Sequence, residues 1–116
     1  MLSPSCDIKI YLFTGHTDMR KGAGSLALLA GSLLSESVCE GRMFIFRGKR
    51  ADKIKILWYD GQGFCLFYKC FEQGKFIWPT AEDKISIGIT KAQLSMLLEG
   101  IDWRRPKWTH PFEYVG

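Results

Sequence analysis

No pair among the four cysteines, Cys6, Cys39, Cys65 and Cys70, stands in a CxxC spacing, and His16 and His110 lie near opposite ends of the chain. Structural zinc sites draw ligands from such short pairs, so the sequence offers little for one. Cys65 and Cys70 are five apart, so on one strand they would face opposite sides. The start, MLSPSCDIKIYL, carries no basic segment ahead of an apolar run, and no apolar stretch approaches membrane-spanning length. These absences predict reduced thiols, no membrane and a bacterial cytoplasmic setting, nucleoid-associated if the protein binds DNA.

Catalytic patterns are missing as well. There is no GxSxG, P-loop, HExxH or Cys/His nucleophile pairing. The acids Asp18, Asp52, Asp60, Glu72, Glu99 and Asp102 have no spacing that gathers three of them on a cation, as metal-assisted phosphoryl transfer requires. The expectation is a protein that is not an enzyme and uses no cofactor and no metal.

What is present fits one globular domain. The 116 residues are 47% hydrophobic and 24% charged, outside the disordered range. Aromatic residues make up 14%, enough to dominate a small core. A net charge of +4 and a pI near 8.9 favour an anionic partner without demanding one.

Period-two alternation in IKIYLF, 8–13, predicts a first strand. Thr17 and Asp18 are N-cap candidates for an amphipathic helix over 19–36, with Leu26, Leu29, Ala30, Leu33 and Leu34 at helical spacing. Gly24 and Gly31 within it offer close approach to another element. Strands follow at 42–48, 53–60 and 63–72, and a further meander segment in KFIWP. Ile54, Ile56 and Trp58 form one row of the third strand, the expected core row. KISIGI at 84–89 reads as an edge strand, and Thr90 with Gln93 as a capping box opening a second helix, with Gly100 at its end. The fold expectation is α+β: a small antiparallel β-meander with two helices packed on one face. Residues 1–105 form the domain and 106–116, with two prolines flanking the last histidine, an extended tail.

Charge is unevenly placed. Six of the 16 Lys and Arg residues (Arg42, Arg47, Lys49, Arg50, Lys53, Lys55) fall within 42–55, opposed there by Asp52 alone. Arg20 and Lys21 stand at the start of the first helix. Cations so clustered suit phosphates, whose condensed counterions they displace, and an adjacent helix start would add amides. The same pattern also describes a solvated polar loop. Aromatics interleave with it (Phe44, Phe46, Trp58, Tyr59, Phe64, Phe67, Tyr68), either as stacking platforms or as core.

Three blocks carry a resemblance: TDMRKG at 17–22, MFIFRGKRADKIKILWYDGQGFCLFYKCFEQGKFIWP at 43–79, and AQLSMLLEGIDWRRP at 92–106. In order and spacing they resemble the TnpB-type accessory proteins of insertion sequences of the IS-sixty-six kind. The match is carried by Arg47, Gly48, Arg50, Asp52, Lys53, Lys55, Trp58, Asp60 and Gly63, by Asp18, Met19, Arg20, Lys21 and Gly22, and by Asp102, Trp103, Arg104 and Pro106. Ala23 and Gly24 replace a more typical Phe-Asp. The resemblance implies a non-catalytic helper in DNA transposition, with strand chemistry left to a separate transposase. It favours DNA-phosphate contact through Arg20, Lys21, Arg47, Lys49, Arg50, Lys53 and Lys55, on transposon-end DNA. The alternative is an adaptor that binds the transposase without touching DNA, through exposed Trp103, Arg104 and Arg105.

Overall fold

In the computed structural model, which describes residues 8–35, 40–80 and 83–104, the chain builds one five-stranded sheet and two helices. The elements are β1 (Lys9–His16), α1 (Ala23–Leu34), β2 (Arg42–Arg47), β3 (Lys53–Tyr59), β4 (Phe64–Cys70), β5 (Ser86–Ile89) and α2 (Lys91–Leu98). Strand order is β4-β3-β2-β1-β5. The α+β class holds, and the expected arrangement of strands and helices changes in two ways.

First, the sheet is mixed. β1 and β2 run parallel, with Ile10 opposite Met43 and Leu12 opposite Ile45, whereas every other pairing is antiparallel. The reason is α1, which lies between them in sequence and returns the chain to the starting end before β2 begins.

Second, the helices cover opposite faces. Phe13, Phe44, Phe46 and Leu57 pack with Leu26 and Ala30 of α1. Ile10, Leu12, Ile45, Ile54 and Ile56 pack on the other side with Leu97 of α2. Alternation along β2 supplies both layers: Phe44 and Phe46 point one way, Ile45 the other, and all three are fully buried. A strand apolar on both sides belongs between two layers, as RMFIFR does. The expected core row of β3 is half of its burial, because Leu57 on the opposite side is equally enclosed.

The segment 75–79 is not a strand. Phe76 N donates to Ala51 O at 2.7 Å, and Phe76 stacks on Phe71 with ring centroids 4.1 Å apart. The Trp78 indole N–H donates to Phe13 O at 2.9 Å. The aromatic side chains therefore pin this stretch to the body of the domain. β5, by contrast, is the edge strand that alternation indicates, paired antiparallel with β1.

Helix starts differ in their chemistry. Thr90 accepts from Gln93 N at 3.0 Å and its own amide donates to Gln93 Oε1 at 2.9 Å, completing the capping box of α2. Gly100, at φ 77°, closes that helix's end. At α1 the N-cap is Gly22, with no side-chain cap. Thr17 is buried and Asp18 is committed elsewhere, so neither caps the helix. A Cβ at Gly24 would meet nothing within 4 Å, so no element approaches closely there. The proposed tail, 106–116, lies outside the described residues.

Candidate nucleic-acid interface

The basic stretch RGKRAD turns β2 into β3. Gly48 N donates to Lys53 O and Ala51 N to Gly48 O, both at 3.0 Å, and Ala51 takes the left-handed conformation at φ 60°. Such a residue closes a short hairpin loop in step with the twist of its strands. The loop is braced from outside: Ala51 O accepts from Phe76 N, and Asp52 O accepts from Phe71 N at 2.8 Å.

Arg47 braces it from below. Its guanidinium donates to Gly48 O (3.3 Å), Lys49 O (3.4 Å) and Thr14 O (3.4 Å), and lies 5.9 Å from the centre of the Trp78 ring. Its Nε is buried without a partner. Three carbonyls and an aromatic face hold this half-buried cation against the domain.

Lys55 is more deeply committed. It is 7% exposed, its ammonium donates to Lys21 O at 2.8 Å, and it sits 4.7 Å from the centre of the Tyr68 ring. The register explains this: Lys55 stands between Phe46 on β2 and Tyr68 on β4, on the α1 side of the sheet. Both residues, expected at a phosphate surface, are thus engaged in contacts within the domain.

The remaining cations converge. Thr17 N donates to Arg47 O at 2.8 Å, which lays segment 17–22 beside the hairpin tip. Met19 then packs on Gly48 so closely that an added Cβ would stand 2.9 Å from Met19 Cγ. Between the two segments opens a groove of about 500 Å³, lined by Arg20, Lys49, Arg50 and Lys53 together with His16 and Tyr68. Asp18 and Asp52 also line it, so four permanent cations face two carboxylates.

These charges are not equally available. Arg20 makes a two-point bond with Asp18, at 3.1 and 3.0 Å. That side-chain bond, with the Arg20 amide second, lowers the Asp18 carboxyl from 3.8 to about 2 and raises the guanidinium. Lys53 lies 3.8 Å from Asp52, a looser pair. Lys49 and Arg50 are exposed at the tip and form no ion pair with a described residue. Lys21 is exposed but does not line the groove.

His16 was not legible as a groove residue. The signal available was its position directly before TDMRKG. Tyr68 is 47% exposed and resolves the aromatic question at its own position: it is a groove wall. Phe44 and Phe46 are core.

The C-terminal trio separates. Trp103, expected to be exposed, is 3% exposed, and its indole donates to Ile77 O at 2.8 Å within the α2-side core. Arg104 is exposed and paired with Asp102 at 3.1 Å. Arg105 lies outside the described residues. Among the described residues no three His, Cys, Asp or Glu side chains group as metal ligands, and no helix is long and apolar enough to cross a membrane.

The family model described as IS66 Orf2 like protein matches residues 8–108, which includes every element above. The chain belongs to that family. It is accordingly a transposition-associated accessory protein of insertion sequences of this kind. Among curated relatives, it is 47% identical to "Uncharacterized protein y4hO" of Sinorhizobium fredii (strain NBRC 101917 / NGR234) over the full length of both chains. It is 38% identical to "Uncharacterized protein y4jC" of the same organism, over 92% of this chain and 91% of that one. No solved structure matches the chain.

Proposed function

We propose that this accessory protein binds DNA at phosphates, through the groove between the β2–β3 hairpin tip and segment 17–22. One observation carries the reading: Arg20, Lys49, Arg50 and Lys53 come from two separate stretches of chain and meet on one groove. Lys49 and Arg50 supply the charge most accessible to a ligand. Arg20 and Lys53 join once a phosphate competes with Asp18 and Asp52. The braced loop lowers the entropy lost on binding, because the tip is held before the ligand arrives.

Base specificity should be low. The cations sit on the hairpin loop, the first residue of β3 and a turn at 18–21, not on a helix aimed at base edges, and phosphate contacts position without reading sequence. The adaptor reading draws less support, because Trp103, its intended anchor, is spent on the core.

The test is fluorescence anisotropy of the full chain with terminal-repeat and random duplexes from low to moderate salt. Comparable binding of both that weakens steeply with salt supports the reading. Absence of binding at low salt overturns it.

A further inference from the structure

β4 (Phe64–Cys70) is an outer strand of the sheet, paired with β3 on one side and with no described strand on the other. The opposite edge, β5, is only four residues long, a common protection of sheet edges. β4 has seven, without proline or glycine. It exposes Phe64, Phe67 and Tyr68 at 41 to 47%. A long apolar edge of this kind recruits another strand.

The ladder fixes which backbone groups are on offer. Asp60 N donates to Gly63 O just before β4, and Phe71 N to Asp52 O just after it. Hydrogen-bonded and non-bonded pairs alternate in an antiparallel ladder. With Trp58 opposite Cys65, Ile56 opposite Phe67 and Ile54 opposite Lys69, those three are the bonded pairs. Phe64, Leu66, Tyr68 and Cys70 therefore direct their amide and carbonyl groups outward.

We propose that β4 pairs antiparallel with β4 of a second copy of this chain, about a two-fold axis at Phe67. In that register Phe64 meets the partner's Cys70 and Leu66 meets the partner's Tyr68, so all four outward residues enter bonded pairs. A one-residue shift would set outward groups against inward-bonded ones, and a two-residue shift would leave one strand end unpaired. Phe67 faces the partner's Phe67 at a non-bonded site, where opposed side chains come closest.

Charge also selects a second copy. Lys69 is the strand's single charged residue. It falls opposite the partner's Cys65, and Cys65 Sγ lies 3.6 Å from Asp60 Oδ2. The ammonium thus approaches a carboxylate instead of its own counterpart. It donates within its chain to Leu98 O at 2.6 Å, leaving two N–H groups for the acid. The pairing joins two sheets into one of ten strands and does not depend on DNA.

Sedimentation of the full chain over a dilution series tests this, with Phe67→Lys and Phe67→Glu beside the wild type. Phe67 is 41% exposed, so either charge can be accommodated in the folded monomer, which circular dichroism verifies. The expected result is a wild-type dimer, monomers for each variant alone, and a restored dimer when the two variants are mixed. A wild-type monomer throughout overturns the proposal. So does a dimer that neither substitution weakens, or a mixture that stays monomeric.

Discussion

The Lys55 ammonium donates to the Lys21 carbonyl at 2.8 Å, tying the middle of β3 to the last residue before the helix cap at Gly22. It crosses 34 positions of sequence, and it is one reason the TDMRKG segment lies beside the hairpin at all.

Removal of that tie should unfold the domain more readily and leave its surface charge nearly untouched. A hydrogen bond from a charged donor contributes about 1.5–3 kcal/mol. Lys55→Met, which keeps the buried stem, should cost about 2 kcal/mol in urea denaturation. DNA affinity extrapolated to full folding should change little. A variant of unchanged stability with much weaker DNA binding would return Lys55 to the ligand surface.

Asp18 restrains the groove. Its folded-state carboxyl, held at about 2 by Arg20, stays ionised well below the ordinary 3.8. Being depressed, it contributes stability above that ordinary value, lost as pH falls through about 2. An NMR titration should give the low midpoint in the wild type and a higher one in Arg20→Gln, still below 3.8 because the backbone amide of residue 20 continues to donate to the carboxylate. At neutral pH, Asp18→Asn should free Arg20 and tighten DNA binding about fivefold at low salt, the scale of one exposed charge contact. Unchanged or weaker binding would mean that Arg20 does not act on the ligand.

Gly48 and Met19 should behave as a pair. An alanine Cβ at 48 would stand 2.9 Å from Met19 Cγ, so the methionine must move. Overpacking of this sort costs about 1–3 kcal/mol. Gly48→Ala should lie near the low end, about 1 kcal/mol, because methionine is flexible. Adding Met19→Ala should recover most of the loss attributable to the clash, read as a coupling in a double-mutant cycle. Additive effects would place the strain elsewhere.

Much of the architecture could be read from period and punctuation. RMFIFR, KIKILWY and FCLFYKC announce themselves as strands, and Thr90 with Gln93 announces a helix start. The parallel β1–β2 pairing could not be read locally, because strand direction is set by where α1 delivers the chain. The expectation of helices on one face passed over Phe44, Ile45 and Phe46, three consecutive apolar residues that a one-faced sheet would not bury. KFIWP reads as a strand because aromatic and β-branched residues favour sheets, yet Phe76 N donates to Ala51 O in the hairpin loop and Ile77 O accepts from the Trp103 indole.

The groove divides along the same line. That Lys49, Arg50 and Lys53 cluster follows from their adjacency; that Arg20 joins them depends on the Thr17–Arg47 backbone bond. Sequence cannot distinguish an exposed lysine from Lys55, whose burial comes from Phe46 and Tyr68 on neighbouring strands. Trp103 was misjudged for a related reason. A tryptophan near prolines and arginines suits an interface, and the carbonyl of Ile77 that receives its N–H lies 26 positions away.

Trp103 should accordingly behave as core. Trp103→Ala should cost about 3–5 kcal/mol of unfolding free energy, and Trp103→Phe about 1 kcal/mol or more through the lost indole bond. Thermal and urea denaturation will check both. Near-neutral stability would show the ring to be dispensable to the fold.

The salt slope of DNA binding tests the central claim most directly. Each phosphate neutralised contributes about −0.9 to the log–log slope on duplex DNA, so three or four contacts give about −3 to −4. Replacing Lys49, Arg50 and Lys53 together by glutamine should move the slope by about three units toward zero and weaken terminal-repeat and random duplexes alike. A slope unchanged by the triple substitution would contradict the groove as the site of phosphate contact.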